Sequence, residues 1–331
     1  MSVICICLSP GLQHTVSIDT LIPGEVNRLS EVTVDVAGKG VNVCRALQRL
    51  GVGALCLAQG GSNADEPAAL ARLEGLDLRL IPSSGRLRTC TSIVEATGAS
   101  GHRVTELVEP SSTVDKSCVI AMTKTVEDLL PSASALVVAG SRAPGYPAGY
   151  PARLARMATE SGVPVILDMQ GPDLRDAVIA RPAVVKINLA EFVATFLADR
   201  FKVREHSGAL AETDVSPDLT KAITEVSRDF VTSFVLTRGA KSTLLIRDGS
   251  MRVLPVPPLT AGEVINPIGS GDTFLAGMLA QLLKTDWPST WESTPMEALE
   301  KAIEFATACA QSNARTARPG FLEGSFKAYS D

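Results

Sequence analysis

The stretch Val264 to Leu283, VINPIGSGDTFLAGMLAQLL, joins two halves of opposite character. Gly269-Ser270-Gly271-Asp272 is too flexible to hold a core, yet Phe274, Leu275, Met278, Leu279 and Leu282 follow at the spacing of a helix that buries one face. One reading is structural: Asp272 caps the helix by accepting hydrogen bonds from its free N–H groups, and the glycines make the turn into it. The other is chemical. The first N–H groups of a helix and the positive end of its dipole receive a phosphate, glycines let it approach the backbone, and an acid beside it takes a proton from the attacking group. On this segment alone the two readings balance.

Upstream, short apolar runs alternate with helical stretches. ALVVAG (135–140) reads as a strand ending in glycine, YPARLARMATESG (150–162) as a helix with a glycine stop, and VPVILD (163–168) as the next strand. AVVKIN (183–188) and SFVLTRG (233–239) repeat the plan. Continuous apolar strands separated by helices predict an α/β fold with a parallel sheet covered on both faces, and such sheets bind ligands at the carboxyl ends of their strands. Ser141, Asp168, Lys186, Asn188 and Thr237, which end these runs, are therefore candidate ligand residues, although each could equally be a cap or turn residue. Segments 14–36 and 88–108 are rich in Thr, Val and Ile, with turn residues at PGE and TGASG. They read as antiparallel ribbons outside the sheet, either a lid over the ligand edge or edge extensions. Without a repeat, a low-complexity tract or an interdomain linker, residues 1–331 read as one domain, with 204–221 a surface loop containing helical fragments.

Hydrophobic residues make up 45% of the 331 and charged residues 20%, the balance of a globular protein with a large core. A net charge of −5 argues against a nucleic-acid or anionic-membrane partner that needs a broad basic surface. Cys5, Cys7, Cys44, Cys56, Cys90, Cys118 and Cys309 are odd in number and lie mostly in apolar stretches, which reads as buried free thiols in a reducing compartment. The opening MSVICICLSP lacks a basic region, and its apolar run is too short for a signal peptide or a membrane span. The expectation is a cytoplasmic protein.

A second glycine-rich helix start, VAGKGVNVCRALQRLG (36–51), places Gly38 and Gly40 around Lys39. It is not a Walker A loop, because Thr33 and Gly40 stand where that motif needs Gly and Ser or Thr. Lys39 either holds an anionic group or is a solvated turn residue. His14, His102 and His206 form no metal pair and no G-x-S-x-G elbow is near them, so hydrolase chemistry has little support; no G-x-G-x-x-G follows a strand, so neither has dinucleotide binding.

The ordered set is more specific than any member. GKGVN early, Gly140-Ser141 closing a central strand, NLAE at Asn188 to Glu191, TRGA at Thr237 to Ala240 and NPIGSGD near the end occur in one series. That series resembles the PfkB/ribokinase family of carbohydrate kinases over essentially the whole chain. GEVNR (24–28), AGKGVNV (37–43), TELVEP (105–110) and LDMQG (167–171) are similar to the branch that phosphorylates hexose phosphates, such as 1-phosphofructokinase and tagatose-6-phosphate kinase.

The resemblance implies a ribokinase-like three-layer sandwich, with a central mainly parallel sheet and a small β-ribbon lid. It implies ATP and Mg²⁺ as cofactors, a ketohexose phosphate as substrate (fructose 1-phosphate, fructose 6-phosphate or tagatose 6-phosphate), and a homodimer formed through the lid ribbons. On this basis Gly269, Ser270 and Gly271 present N–H groups to the transferring phosphate, and Asp272 is the catalytic base. Gln13, Gly38, Lys39, Gly40, Asn42, Arg88 and Ser141 fall on the substrate side, where Lys39 and Arg88 suit the phosphate already on the sugar. Lys186, Asn188, Glu191, Thr237, Gly239 and Asn313 fall on the nucleotide side, with Glu191 tied indirectly to the metal. The sequence also departs from the family. Ser9 and Gln13 stand where Asn and a sugar-binding Asp are usual, and Ala37 replaces the first glycine of Gly-Gly-Lys-Gly. These departures keep two alternatives open: a kinase of an unphosphorylated sugar or nucleoside, and a binding protein without turnover.

Overall fold

Along Ser2–Cys7 the side chains alternate between two faces, as a pleated strand requires. Ile4 and Ile6 join one hydrophobic cluster, and Val3, Cys5 and Cys7 join another; Leu55 and Leu57 divide in the same way from Ala54, Cys56 and Ala58. Strands buried on both faces must lie inside a sheet that helices cover twice. The computed structural model, which describes residues 2–97, 101–201 and 215–323, shows that arrangement.

The large sheet contains β1 (Ser2–Cys7), β4 (Ala54–Gln59), β5 (Leu78–Ile81), β8 (Ala133–Ala139), β9 (Val165–Asp168), β10 (Val184–Asn188), β11 (Ser233–Arg238), β12 (Lys241–Arg247) and β13 (Ser250–Leu254). Their order is β13-β12-β11-β10-β9-β8-β1-β4-β5. Neighbours are parallel except that β12 and β13 return antiparallel at one edge. β1 has β8 on one side and β4 on the other, so the direction of winding reverses there, which opens a crevice at the carboxyl ends.

One face is covered by helices α3 (Lys116–Leu129), α4 (Tyr150–Glu160), α5 (Gly171–Ala177), α6 (Leu189–Phe196) and α7 (Pro217–Asp229). The other is covered by α1 (Lys39–Arg49), α2 (Asp65–Glu74), α8 (Ser270–Leu282) and α9 (Met296–Ala314). The sequence thus folds into the three layers expected, and the apolar stripe read in the opening stretch becomes α8, buried almost all round. Of the expected 204–221 loop, Arg204 to Asp214 lie outside the described residues, while Pro217 begins α7, with the Ser216 side chain accepting from the Leu219 N–H.

The two ribbons form one separate sheet of four strands, β2 (Gly11–Ile18), β3 (Glu31–Ala37), β6 (Arg88–Ala96) and β7 (His102–Val108), in the order β3-β2-β6-β7. Each ribbon is antiparallel as read, and β2 pairs with β6 in parallel to join them. β2 starts at Gly11, three residues earlier than the ribbon read from sequence, because a Cβ there would lie 2.6 Å from the Arg88 carbonyl and only glycine permits that approach. The PGE turn is present, with Gly24 at φ 86°; residues 98–100 of TGASG are outside the described set.

The helix pair α8/α9 meets at Gly277, where a Cβ would lie 2.6 Å from Cys309 Sγ and 3.0 Å from Ala306 Cα. Alanine is the better helix former by about 1 kcal/mol, but overpacking costs about 1–3 kcal/mol. Gly277→Ala is therefore expected to lower the urea midpoint, and adding Cys309→Ala to recover part of the loss. An unchanged or raised midpoint in the single variant would show that the helices can separate freely.

Candidate active site

A cavity of about 640 Å³ lies between the small sheet and the carboxyl ends of β10 and β11. Gln13, Arg88, Cys90 and Glu106 line it from the small sheet, Gly38, Lys39 and Asn42 from the start of α1, and Gly269 to Asp272 from the start of α8. Lys186, Asn188, Glu191, Thr237 and Gly239 line it from the strand ends, joined by Thr243, Pro257, Gln311 and Ala314. Segments distant in sequence converge here because the sheet puts the ends of its parallel strands on one edge.

The loop into α8 is held from behind. Gly269 takes φ 85°, a left-handed conformation, and a Cβ there would lie 2.4 Å from the Gly320 nitrogen. Asn313, fully buried, donates to the Ile268 carbonyl at 2.9 Å and accepts from the Gly320 N–H at 2.7 Å. Its amide is thus a brace for the loop and does not line the cavity. Among the three expected N–H donors, Ser270 donates to the Pro267 carbonyl at 3.1 Å, whereas Gly269 and Gly271 have no acceptor among the described residues. Those two N–H groups at a helix start are available to an anion.

Asp272 is buried, and its Oδ2 accepts from Asn42 Nδ2 at 2.8 Å. Burial and then the negative charge of Asp168 push its carboxyl up to about 6, against Lys39, the Asn42 hydrogen bond and Lys186. Asp168, wholly buried at the end of β9, accepts from Lys39 Nζ and from Lys186 Nζ, each at 2.8 Å. Burial favours its neutral form, but the two ammonium groups outweigh that and hold its carboxyl below the usual range. Burial likewise opposes the Lys39 charge, while Asp168, Glu191 and Asp272 together keep that amine protonated well above the ordinary value. Lys186 also reaches beneath the loop, its Nζ 2.8 Å from where a Gly271 side chain would start.

Asn188 and Glu191 form a capping box on α6: Asn188 Oδ1 accepts from the Glu191 N–H at 2.8 Å, and Glu191 Oε2 accepts from the Asn188 N–H at 3.0 Å. Glu191 Oε1 remains directed to Lys39 Nζ, 3.6 Å away. On the substrate side, Gln13 donates to Ser92 Oγ at 3.0 Å and to the His14 carbonyl at 3.2 Å. Arg88 donates from Nη2 to the Ser9 carbonyl at 3.1 Å, while its Nε is buried with no partner among the described residues. Burial raises the Glu106 carboxyl, with the Arg88 charge pulling the other way.

Gly40 and Ser141 lie outside the lining. A Cβ at Gly40 would lie 2.5 Å from the Ile6 carbonyl, so glycine there serves the packing of α1 on β1. The N–H groups of Gly40 and Val41 lie near the buried Cys7 sulfur and oppose the rise that burial gives its thiol pKa. Ser141 is exposed beside Gly140, which packs against the Lys39 side chain. Sequence reasoning named Asp168 as a strand-end residue but missed that it joins two lysines; it quoted Glu106 within TELVEP without giving it a role, and it missed Gln311 altogether. The position of Asp168 at the end of VPVILD was the available signal, and the TELVEP motif was that for Glu106; Gln311 carried none.

Two free N–H groups at a helix start, a buried carboxylate beside them and a lysine below suit transfer of a phosphoryl group to an alcohol. Residues 11–321 match the sequence profile of the pfkB family of carbohydrate kinases, and the chain belongs to that family. A relative from Rhodobacter capsulatus named 1-phosphofructokinase is 30% identical over 282 residues, which are 83% of this chain and 81% of that protein. The structure of a possible 1-phosphofructokinase from Thermotoga maritima superposes with a TM-score of 0.76 at 21% identity, covering 97% of this chain and 94% of the other. Phosphofructokinase-2 from Escherichia coli in complex with fructose-6-phosphate gives 0.75 at 20% identity, over 95% and 93%.

The raised Asp272 carboxyl has a consequence for stability. Its folded pKa, about 6, lies above the 3.8 of a free side chain, so the native state binds the proton more tightly and loses stability as pH rises through that window. The loss amounts to at most about 3 kcal/mol. Asp272→Asn, uncharged at every pH, should resist urea better than wild type at about pH 8 and match it near pH 4. Equal midpoints at both values would show that the charge is not penalised.

Proposed function

We propose that the chain is an ATP-dependent kinase that transfers the γ-phosphoryl group to a hydroxyl of a ketohexose phosphate, with fructose 1-phosphate or fructose 6-phosphate as substrate. The observation that carries this reading is the buried Asp272 carboxylate beside the unpartnered N–H groups of Gly269 and Gly271. Asp272 takes the proton from the attacking hydroxyl, and its raised pKa brings it towards the range of an effective base. The two N–H groups, the α8 dipole and Lys186 stabilise the charge on the transferring phosphoryl group.

A sugar phosphate is favoured over a free sugar by Arg88, a cation on the cavity wall beside Leu12 and Cys90 whose Nε has no hydrogen-bond partner among the described residues. A phosphate dianion is the acceptor that suits a guanidinium fork. The name of the Rhodobacter relative points the same way. Thr237, Gly239, Thr243 and Gln311 sit where the adenine nucleotide would lie, with Gly239 at φ 60° in its turn.

Among the described residues no cluster of three or more His, Cys, Asp or Glu forms a metal cage. That fits Mg²⁺ arriving with the nucleotide, since this ion keeps phosphate and water ligands and needs only one or two carboxylates. Glu191 Oε1, not engaged in its cap, is the carboxylate oxygen placed to act through water. Held there through water by Glu191, Mg²⁺ would supply positive charge to the nucleotide phosphates. Residues 1–331 work as one kinase domain whose four-stranded sheet is the lid. We assign it to the cytoplasm, because its seven cysteines are buried as free thiols; among the described residues no helix is long and apolar enough to cross a membrane.

The lid also supplies an interface for a homodimer. Gln13, Cys90 and Glu106 face the cavity, so the alternate residues Val32, Val16 and Ile93, paired across three strands, lie on the opposite face with Leu107. Val32 is 53% and Leu107 57% exposed, large apolar side chains that a second copy would cover. Leu107→Glu is expected to shift the protein to monomer in sedimentation velocity; a wild type that is already monomeric would remove the interface.

The deciding assay is ADP release with Mg²⁺-ATP against fructose 1-phosphate, fructose 6-phosphate, tagatose 6-phosphate, fructose, ribose and adenosine. Turnover confined to a sugar phosphate is expected, with kcat falling below about pH 6 as Asp272 is protonated. Asp272→Asn should lose about 10²–10⁴-fold in kcat. Arg88→Ala should raise KM for the sugar phosphate at least about tenfold, equivalent to about 1.4 kcal/mol. Turnover of a free sugar with no KM response at Arg88 would replace this reading with a kinase of unphosphorylated substrates.

A further inference from the structure

Arg45 lies in none of the chemical motifs of the sequence, yet it is among the largest fully buried side chains, 1% exposed. It follows Asn42 by one turn of α1. Its Nη1 donates to Asn42 Oδ1 at 2.8 Å, its Nη2 to the Val36 carbonyl at 2.7 Å, and its Nε to Glu74 Oε1 at 2.6 Å. A guanidinium has donors only, so Asn42 must turn its oxygen to Arg45 and its Nδ2 to Asp272. Gly320 packs directly against it: a Cβ there would lie 2.8 Å from Asn42 Cβ and 2.9 Å from its Oδ1, so only glycine at 320 leaves the Asn42 side chain its place. An end-for-end turn of the Asn42 amide would aim an oxygen at the carboxylate. Arg45 decides that choice.

We infer that Arg45 is a positioning residue for phosphoryl transfer, acting through Asn42 to fix the donor that orients the Asp272 carboxylate. Packing alone would be served as well by an apolar side chain, because a buried ion pair gives little net stability over well-packed hydrophobic residues. The contact with Val36 also ties this relay to β3 of the lid. The charged groups facing Asp272 are Asp168 from β9, Lys39 from α1 and Lys186 from β10. Arg45 hydrogen-bonds to none of them, so a change at position 45 reaches the carboxylate through Asn42. The inference rests on the reading of Asp272 as the base.

The test is kcat and KM against pH for Arg45→Lys, Asn42→Ala and the double variant, with Asp272→Asn as control and folding followed by circular dichroism. Lysine keeps the positive charge but cannot reach three acceptors in a fork. Arg45→Lys is expected to lose about tenfold in kcat with KM for both substrates within about twofold, and to move the acid limb upward by about half a pH unit. In the double variant it should add no more than about twofold to the loss from Asn42→Ala, since both act on one contact. A folded Arg45→Lys with unchanged kcat and acid limb overturns the inference, as do losses that multiply in the double variant. Should Arg45→Lys not fold, Glu74→Gln loosens the guanidinium from outside; about a threefold loss with the same upward movement is expected, and an unmoved profile counts against the relay. Activity retained in Asp272→Asn would remove the base itself, whereas an inactive Asp272→Asn beside an unaffected Arg45→Lys removes the relay alone.

Discussion

The site depends on one buried carboxylate held between two ammonium groups. Asp168 ends β9, Lys186 lies in β10 and Lys39 opens α1, so the bridge fixes the helix start against two strand ends. A buried charge without a partner is costly, so the buried Asp168 and Lys186 depend on each other, while the half-exposed Lys39 adds a second cation to the carboxylate. The same cluster sets the electrostatics of the neighbouring Asp272. Asp168 disfavours a second negative charge, the lysines favour it, and burial leaves the balance at a carboxyl that titrates near 6. A buried carboxyl raised into an intermediate range thus follows from a structural bridge without a further device.

Backbone approach is the second constraint. Gly38 and Gly40 lie so close to β1 that a Cβ would meet Cys7 Sγ or the Ile6 carbonyl, each at 2.5 Å. Gly269 and Gly320 touch in the same manner near α8. Glycine at these positions is required by packing before any ligand arrives, so the open helix starts and the close fit of helix on sheet have one cause. The glycines make the turn into α8 as the structural reading expected, but Asp272 does not cap the helix: Gly269 stands at the N-cap, and the Asp272 carboxylate, one turn inside, accepts from Asn42 instead.

Much of this was legible from residue order. Parallel strands place their last residues on one edge, so Lys186, Asn188 and Thr237 could be named as cavity residues without coordinates, as could Lys39 and Asp272 from glycines before a helix. Pairing was not legible. That Asp168 joins Lys39 and Lys186, or that Arg45 addresses Asn42, depends on sheet order and on which helix covers which face, and neither is encoded in local spacing. Asn313 shows the converse: its place in the series is that of a nucleotide residue, yet its amide is engaged by the loop behind the cavity. The parallel junction of β2 with β6 was also beyond a local reading, because each ribbon is complete as a hairpin by itself.

The hydrogen bond from Asn42 to Asp272 spans 230 residues of chain. During synthesis, at about 5–20 residues per second, the two halves of that contact are made roughly 12 to 46 s apart. Gly320, which packs against Asn42, comes later still. The helix that carries Lys39 and Asn42 must therefore wait on a nascent sheet for its partner, with its buried Arg45 already in need of cover. Protein that leaves the ribosome before residue 272 would hold a nearly complete sheet and lack Asp272.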